Sequence, residues 1–368
     1  MINRARLLET FFEYVKIDSE TGNEKAMADR VAADLAAIGC EVATDRAGEA
    51  IGSNGYNIYA TLYGENDAEP IMMSSHLDTV APGVGIEPYA QDGVIRSRGE
   101  TILGGDDKSG VAAIIEALRC VAERRLRHRT VEAVFTICEE GGLRGAQELE
   151  YGRIQSKNAA VFDSGGDVGR IITTAPGQIR IDAEIIGRAA HADVNPEDGV
   201  SAIVVAAHAV ASMKLLRIDS ETTANIGTFL ADGPTNIVTE RVKFRAEARS
   251  RNQQKLEAQA AHMASCLEKA CETFGAKLHC RTQTSYIGYH VPKEHRFVCQ
   301  VMRACEAIGV EPVTASSGGG SDANIMAQNG ITAVVLGTGM DRVHTIDEQI
   351  TIDNLNHTAR LALQLMLA

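Results

Sequence analysis

Two adjacent glutamates, Glu139 and Glu140, directly follow an apolar segment in the stretch VFTICEEGGLRGA, and two glycines come after them. The β-branched and aromatic residues before the pair are typical of a buried strand. Neighbouring carboxylates repel each other, and burying either of them without a partner is costly. A solvated loop is one interpretation of this pair, and a bound cation is the other.

Further stretches place His or Asp where an apolar strand stops or a glycine turn begins. They are SSHLDTV with His76 and Asp78, LGGDDKSG with Asp106 and Asp107, FDSGG with Asp163, and DRVHTIDE with His344. Ligands of open α/β sheets bind beyond the carboxyl ends of the strands. A single such residue is more often a turn former, but carboxylates that converge would repel one another severely without a cation.

Imidazole and carboxylate ligands without a thiolate predict a hydrolytic zinc, manganese or cobalt centre. A carboxylate that bridges two ions would make it a two-metal centre. One glutamate of the Glu139–Glu140 pair would then hold metal, while its neighbour acts as a base on water. This chemistry answers why two like charges stand together.

Two glycine-rich stretches have competing interpretations. LGGDDKSG resembles a phosphate-binding loop, but Asp107 precedes Lys108 and its charge would repel a phosphate. The run SSGGGSDAN is either a flexible loop or a main-chain cradle for an anion or oxyanion, before a helix capped by Ser321 or Asp322. The second interpretation makes Gly319 and Ser321 candidates for substrate binding.

The elements that must position these residues alternate between strand and helix. Apolar runs at 56–63, 70–75, 131–138 and 159–162 predict strands, and helices are predicted over 4–16, 23–38 with Asn23 as a possible N-cap, and 109–121. Near-continuous apolar strands between helices predict an α/β fold with a mostly parallel sheet covered by helices. The same alternation of helices and apolar strands is predicted again after residue 286, with a helix over 295–308 and a strand over 332–336.

A different pattern occupies the middle of the chain. GQIRIDAEI and RVKFRAEARS alternate apolar and polar residues, which predicts a sheet with one solvated face. The order strand, helix, strand, strand, helix, strand predicts a ferredoxin-like α+β domain. We therefore expect a discontinuous catalytic domain over 1–176 and 286–368, interrupted by an inserted α+β lid or dimerisation domain over 177–285.

Composition narrows the class of protein. The 368 residues carry a formal net charge of −13, which argues against nucleic acid or an anionic membrane as a partner. Eight cysteines without a C-x-x-C pair predict reduced thiols and a cytoplasmic protein. No apolar run is long enough to span a bilayer.

The whole chain resembles the di-zinc family that contains peptidase T, the glutamate carboxypeptidases and the aminoacylases. The matching stretches are HLDTV, GGDDKSG, EEGGLRGA, FDSGG, GRAAHA, GPTNIV, GGGSDAN and the late His344, and TILGGDDKSG and GGSDAN look most like peptidase T. The resemblance implies two divalent ions per chain, most simply zinc, with cobalt or manganese as alternatives. His76 and Asp163 would bind one ion, Glu140 and His344 the other, and Asp106 would bridge both.

The resemblance also implies roles for residues off the metals. Glu139 would be the general base and acid, and Asp78 would orient His76. His191 in GRAAHA would stabilise the oxyanion in the active site of a partner subunit, in a homodimer formed through the inserted domain. Asn236 and Arg249 would contact the substrate, and Arg249 would suit a carboxylate. From the residues alone, His191 could be a surface turn residue and Arg249 a solvated arginine.

The expected activity is hydrolysis of small peptides, of the tripeptide aminopeptidase type. Two departures from peptidase T bear on specificity. Gly105 stands where that branch tends to have Ala. The segment around His191 looks more like the carboxypeptidase and aminoacylase form, although Asp193 stands where that form often has Gly. A carboxypeptidase or N-acyl-amino-acid deacylase is the alternative within the family. A metal-dependent binding protein without catalysis is the alternative from another class.

Overall fold

The computed structural model describes residues 2–66 and 68–367. The strands in chain order are β1 Glu41–Thr44, β2 Ile58–Leu62, β3 Ile71–His76, β4 Glu87–Gln91, β5 Val94–Arg98, β6 Val131–Thr136, β7 Asn158–Ser164, β8 Arg170–Ala175, β9 Gly177–Ile186, β10 Leu216–Arg217, β11 Thr222–Leu230, β12 Arg241–Ser250, β13 Lys277–Tyr286, β14 Tyr289–His290, β15 Val313–Ser316, β16 Thr332–Gly337, β17 Met340–Asp341 and β18 Gln349–Thr351.

The α-helices are α1 Arg4–Val15, α2 Lys25–Ile38, α3 Ala47–Ile51, α4 Gly105–Arg124, α5 Arg144–Gln147, α6 Ala202–Ser212, α7 Gln253–Phe274, α8 Arg296–Ala307, α9 Asp322–Gln328 and α10 Ile352–Leu367, with 3-10 turns at Tyr151–Arg153 and Pro196–Asp198. Within the described residues, no helix combines the length and the apolar character that crossing a bilayer requires. Chain contacts separate one compact unit, Met1–Thr174, His290–Ser317 and Ser321–Ala368, from a second, Ala175–Tyr289 and Gly318–Gly320.

The main sheet of the first unit runs in the order β1-β2-β6-β3-β7-β16-β8, with β15 beside β8. Its central strands β6, β3, β7 and β16 are mutually parallel. Every residue of β3 and β6 is buried, as expected of strands covered on both faces. Helix α4 packs against strands β3 and β7 of this sheet and against helices α1 and α10. The predicted α/β class with a mostly parallel sheet is confirmed.

A small sheet in the first unit, ordered β17-β18-β5-β4, was not expected from the sequence. Its strands are short and partly exposed, so they lack an apolar run that would predict them. The N-cap of α2 also differs from the expectation, because Glu24 occupies it instead of Asn23. Ser321 is the N-cap of α9, one of the two caps predicted for it, while Asn252 is the N-cap of α7 and Gly39 the C-cap of α2.

The second unit is an antiparallel sheet, β10-β11-β12-β9-β13, with α6 and α7 packed on one face. Alternation along β9 buries Ile179, Ile181 and Ile185 against the helices and exposes Arg180. The opposite face carries cross-strand ion pairs, such as Arg241 Nη1 to Glu184 Oε1 at 2.9 Å. The strand and helix order is the predicted ferredoxin-like one, with the two-residue β10 added.

Candidate metal centre

The candidate ligands of the first unit gather at one edge of the main sheet. His76 is the last residue of β3, Asp163 lies near the end of β7, and Glu139 and Glu140 follow β6. These strands are parallel, so their carboxyl ends meet at the same edge. Asp106 enters from the start of α4, and His344 from the loop between β17 and β18.

Asp106 lies between the two imidazoles. Its Oδ1 is 3.2 Å from His76 Nε2, and its Oδ2 is 3.2 Å from His344 Nε2. Asp163 Oδ1 is 3.7 Å from His76 Nε2. Glu140 Oε1 is 2.7 Å from His344 Nε2 on the other side. The five predicted metal ligands thus form two groups that share one carboxylate.

This donor set fits divalent cations. Ligand atoms about 2.0–2.2 Å from a tetrahedral ion lie roughly 3.3 Å from one another, and the nitrogen–oxygen distances around Asp106 are of this size. His76, Asp106 and Glu140 all offer ligand atoms within 4.8 Å of one another. Two imidazoles, three carboxylates and no thiolate suit zinc, cobalt or manganese.

Asp78 orients both His76 and the glutamate pair. His76 Nδ1 lies 2.9 Å from the main-chain oxygen of Asp78 and 3.4 Å from its Oδ1, which places the ring proton on Nδ1 and leaves Nε2 available to bind a cation. The main-chain N–H groups of Glu139 and Glu140 donate to the carboxylate of Asp78 at 2.9 and 3.2 Å. Thr21 Oγ1 donates to the same carboxylate at 2.7 Å.

Of the two adjacent glutamates, Glu139 is the one whose buried carboxylate has no hydrogen-bond or ion-pair partner among the described residues. Across residues 2–66 and 68–367, its side chain makes no hydrogen bond or ion pair, although it is only 9% exposed. Glu140 instead faces His344. The two glutamates therefore differ in their surroundings: the carboxylate of Glu140 lies beside an imidazole, and that of Glu139 has no such partner within the described residues.

The electrostatics of the cluster indicate an excess of negative charge. Burial alone would lower the pKa of His76, but hydrogen bonds to Asp106 and Asp78 hold it well above its usual value. Hydrogen bonds to Asp106 and Glu140 raise the pKa of His344 to about 10. Burial raises the pKa of Glu139 and Asp163 well above the ordinary range. Divalent cations would relieve this crowding of carboxylates.

A loop near the N-terminus supports the site, and the sequence did not reveal it. Glu24 is fully buried, and its Oε1 accepts the main-chain N–H groups of Gly22 at 2.7 Å and Cys138 at 3.2 Å. The Glu24 Oε2 accepts a hydrogen bond from the hydroxyl of Ser53. Cys138 immediately precedes the glutamate pair and has a left-handed φ of 51°. Glu24 and Asp78 together therefore bind three consecutive main-chain N–H groups, those of residues 138–140.

Asp107, Lys108 and Asp322 are buried polar groups near the site without an assigned role. Asp107 Oδ2 accepts hydrogen bonds from the main-chain N–H of His76 at 3.2 Å and from the hydroxyl of Ser75. Together with His76 and Asp163, Asp107 also forms a second group of possible metal ligands. The ammonium of Lys108 donates to the main-chain oxygen of Ile17 at 2.7 Å. Because Lys108 is buried and held in this way, LGGDDKSG is not a phosphate-binding loop. Asp322 accepts from Thr136.

The second unit brings His191 and Asn236 together. The main-chain N–H of Ala192 donates to the oxygen of Asn236 at 2.9 Å, and His191 pairs with Ile237 as an isolated bridge. Nδ1 of the exposed His191 accepts the N–H groups of Asp193 and Val194, both at 3.2 Å. The proton of the neutral ring is therefore assigned to Nε2, which can donate it to another group.

Arg249 and Gly319 also lie together in the second unit. A side-chain carbon on Gly319 would lie 3.7 Å from Arg249 Nη1. Arg249 is partly buried and forms an ion pair with Glu247 at 2.7 Å, so it is not a fully solvated arginine. Ser321 belongs to the first unit, where it caps α9 and its main-chain N–H donates to Asn324 Oδ1 at 3.1 Å.

Comparison with known proteins places the chain in a family. Residues 72–368 match the model of peptidase family M20/M25/M40. The crystal structure of aminopeptidase PepT from Bacillus cereus superposes with a TM-score of 0.91 at 42% identity, covering 100% of this chain and 98% of that one. A tripeptidase from Staphylococcus aureus gives a TM-score of 0.95 at 38% identity, with the same coverage. The chain therefore belongs to peptidase family M20/M25/M40.

Sequence relatives agree with this assignment. The Bacillus subtilis protein YqjE is 39% identical over 366 residues, which span 100% of this chain and 99% of YqjE. Peptidase T of Brevibacillus brevis is 22% identical over 414 residues, spanning 99% of this chain and 98% of that protein. The resemblance to peptidase T that the motifs predicted is confirmed, and with it the assignment to a class of peptide-bond hydrolases.

Proposed function

We propose that this protein is a metal-dependent aminopeptidase that removes the N-terminal residue from tripeptides. The observation that carries the proposal is Asp106, whose two oxygens face the imidazoles of His76 and His344 separately. The relatives described as aminopeptidase PepT and tripeptidase, at 42% and 38% identity, support the substrate class. Family membership supports hydrolysis of a peptide bond.

Five residues would hold two divalent ions, with zinc as the first choice and cobalt or manganese as alternatives. The ligands would be His76 and Asp163 for one ion, Glu140 and His344 for the other, and Asp106 for both. When bound, the ions would supply Lewis-acid activation of water and polarisation of the peptide carbonyl. Asp78 would keep His76 in the tautomer that presents Nε2.

Glu139 would carry the proton. Its carboxylate is buried beside the ligands and unengaged within the described part of the chain, so it can take a proton from the attacking water. The same carboxyl group would then deliver that proton to the leaving amino group. Asp78 fixes the main chain of Glu139 through the 2.9 Å hydrogen bond, which limits the positions that the carboxylate can reach.

The remaining predicted residues would bind the substrate. We propose that Arg249, beside Gly319, binds the terminal carboxylate of the peptide, because the N–H groups of a guanidinium can donate to both oxygens of a carboxylate. Ser321 and Asn236 would offer polar contacts along the peptide. His191 Nε2–H would donate to the developing oxyanion, in the active site of a partner subunit of a homodimer.

The domain roles follow the same proposal. Residues 1–176 and 286–368 would form the catalytic domain, and residues 177–285 a lid and dimerisation domain. None of the eight cysteines, all of which lie in the described residues, forms a disulfide, and six of them are buried, which supports a cytoplasmic location.

A substrate panel tests the activity. The metal-loaded protein would be offered a free tripeptide, the same peptide with an acetylated N-terminus, the same peptide with an amidated C-terminus, and an N-acetyl amino acid. The proposal predicts cleavage of the free tripeptide, loss of that activity with a chelator, and slow cleavage of the acetylated form. Cleavage of only the N-blocked compounds would replace it by a carboxypeptidase or deacylase. No cleavage by the metal-loaded protein would leave a metal-dependent binding protein.

A subunit-mixing experiment tests the role of His191. Glu139→Ala and His191→Ala would each be inactive as homodimers if His191 acts across a dimer. Mixing them with verified subunit exchange would then restore part of the activity, because hybrid dimers contain one intact site. Absence of recovery in exchanged dimers would contradict a shared site.

A further inference from the structure

Glu348 is a buried carboxylate that the proposed mechanism does not use. It is 1% exposed and lies four residues after His344. Within the described residues, all hydrogen bonds of its side chain go to the main chain that leads into Asp106. Its Oε2 accepts the N–H groups of Leu103 and Gly104, both at 2.8 Å, and its Oε1 accepts the N–H of Asp106 at 2.9 Å.

This contact determines where Asp106 can lie. The segment is irregular, because Gly104 has a left-handed φ of 71° and Asp106 has non-helical dihedral angles within the first turn of α4. A side-chain carbon on Gly105 would lie 3.1 Å from Glu348 Oε1, so the carboxylate is packed closely against the main chain. The orientation of Asp106 is critical because its two oxygens face different imidazoles.

We propose that Glu348 is a positioning residue that holds Asp106 in the orientation needed to serve both cations at once. The inference rests on the proposed two-metal function, and it adds a residue that touches neither the substrate nor, in this role, the cations. It also links His344 and Asp106 through one short segment, since residues 344–348 carry both an imidazole of the site and the carboxylate that holds the shared ligand.

The substitution Glu348→Gln tests this role with almost no change of shape. Both carboxylate oxygens accept from main-chain N–H groups, which cannot turn round to accept. The glutamine NH₂ must therefore face at least one N–H group, and two donors repel. If the amide oxygen keeps Leu103 and Gly104, the NH₂ displaces the N–H of Asp106. Asp347→Asn, at the exposed neighbouring residue, is the matched control for charge.

The readout is zinc retention by the zinc-loaded proteins against increasing chelator concentrations, measured as ions per chain. For Glu348→Gln we expect both ions to leave at chelator concentrations about 10–100-fold lower than in wild type, the usual effect of losing a group that supports a ligand. Asp347→Asn should match wild type. Saturating zinc should restore kcat for a free tripeptide and leave KM unchanged, because Glu348 does not contact the substrate.

Three results would overturn the proposal. Unchanged zinc retention with a lower melting temperature would make Glu348 a fold-stabilising residue only. Loss of one ion alone would mean that it supports His344 and not the shared Asp106. If Glu348→Gln does not fold, Glu348→Asp keeps the charge, and unchanged zinc retention in that folded variant would also refute the role. If wild type retains zinc but cleaves no tripeptide, the peptidase proposal fails while the zinc comparison still decides the role of Glu348.

Discussion

Replacing Glu24 by alanine should damage both stability and turnover, whereas glutamine should be tolerated. Alanine leaves the buried N–H group of Cys138 and the half-buried N–H group of Gly22 without their acceptor. A buried N–H group left without an acceptor costs about 1–3 kcal/mol, and a half-buried one that water can reach costs about 0.5–1.5 kcal/mol, so we expect a loss of about 1.5–4.5 kcal/mol in the free energy of unfolding. Glutamine can keep its oxygen on both groups and turn its NH₂ to Ser53, whose hydroxyl accepts as well as donates. Its cost should stay below about 2 kcal/mol.

Turnover should follow the same order, because Glu24 holds Cys138 directly before Glu139. A shift of about 1 Å in Glu139, the proposed base, would cost on the order of 100-fold in kcat, and we expect this for Glu24→Ala. The protein contains no tryptophan, so urea unfolding is followed by far-UV circular dichroism at a fixed zinc concentration. The exposed Glu49→Ala is the control. A Glu24→Ala protein as stable and active as that control would show that Glu24 does not support Glu139. If Glu24→Gln loses as much stability and turnover as Glu24→Ala, hydrogen-bond acceptance by the residue 24 side chain does not explain the effect.

Two further substitutions test the site and its packing. Glu139→Gln should lower kcat for a free tripeptide by about 10²–10⁴-fold while zinc content stays at the wild-type value, and unchanged turnover would remove Glu139 from the mechanism. Gly110→Ala should lower the melting temperature, because its added carbon would lie 2.4 Å from the main-chain oxygen of Phe162. Overpacking of this kind costs about 1–3 kcal/mol or more, whereas Gly152→Ala, with no atom within 4 Å of the added carbon, should be near neutral.

The parts of the fold that could be predicted are those with local signals. Buried parallel strands such as β3 and β6 lie in predominantly apolar runs, and β9 alternates strictly. Residues that end such strands, His76 among them, could be placed at one edge of the sheet from the sequence pattern alone. The small β17-β18-β5-β4 sheet has no such signal, because its short strands are partly exposed and its two local strand pairs, β4–β5 and β17–β18, are joined by the pairing of β5 with β18 across more than 240 residues.

The supporting carboxylates were missed for a related reason. Glu24 holds a main-chain group 114 residues away, and Glu348 holds one 242 residues away. Each appears in the sequence as a single glutamate, Glu24 at the start of a predicted helix and Glu348 in a loop, and such glutamates are ordinarily solvated. Only the fold brings them to buried N–H groups. The sequence therefore predicts residues that offer chemistry at strand ends more readily than the residues that position them.

Anomalous X-ray diffraction from crystals of the cobalt-loaded protein would show directly whether Asp106 serves two cations. We expect two anomalous peaks about 3.5–4 Å apart on either side of Asp106. One should lie beside His76 and Asp163, and the other beside Glu140 and His344. A single peak, or two peaks that do not share Asp106, would rule out the two-metal centre proposed for this chain.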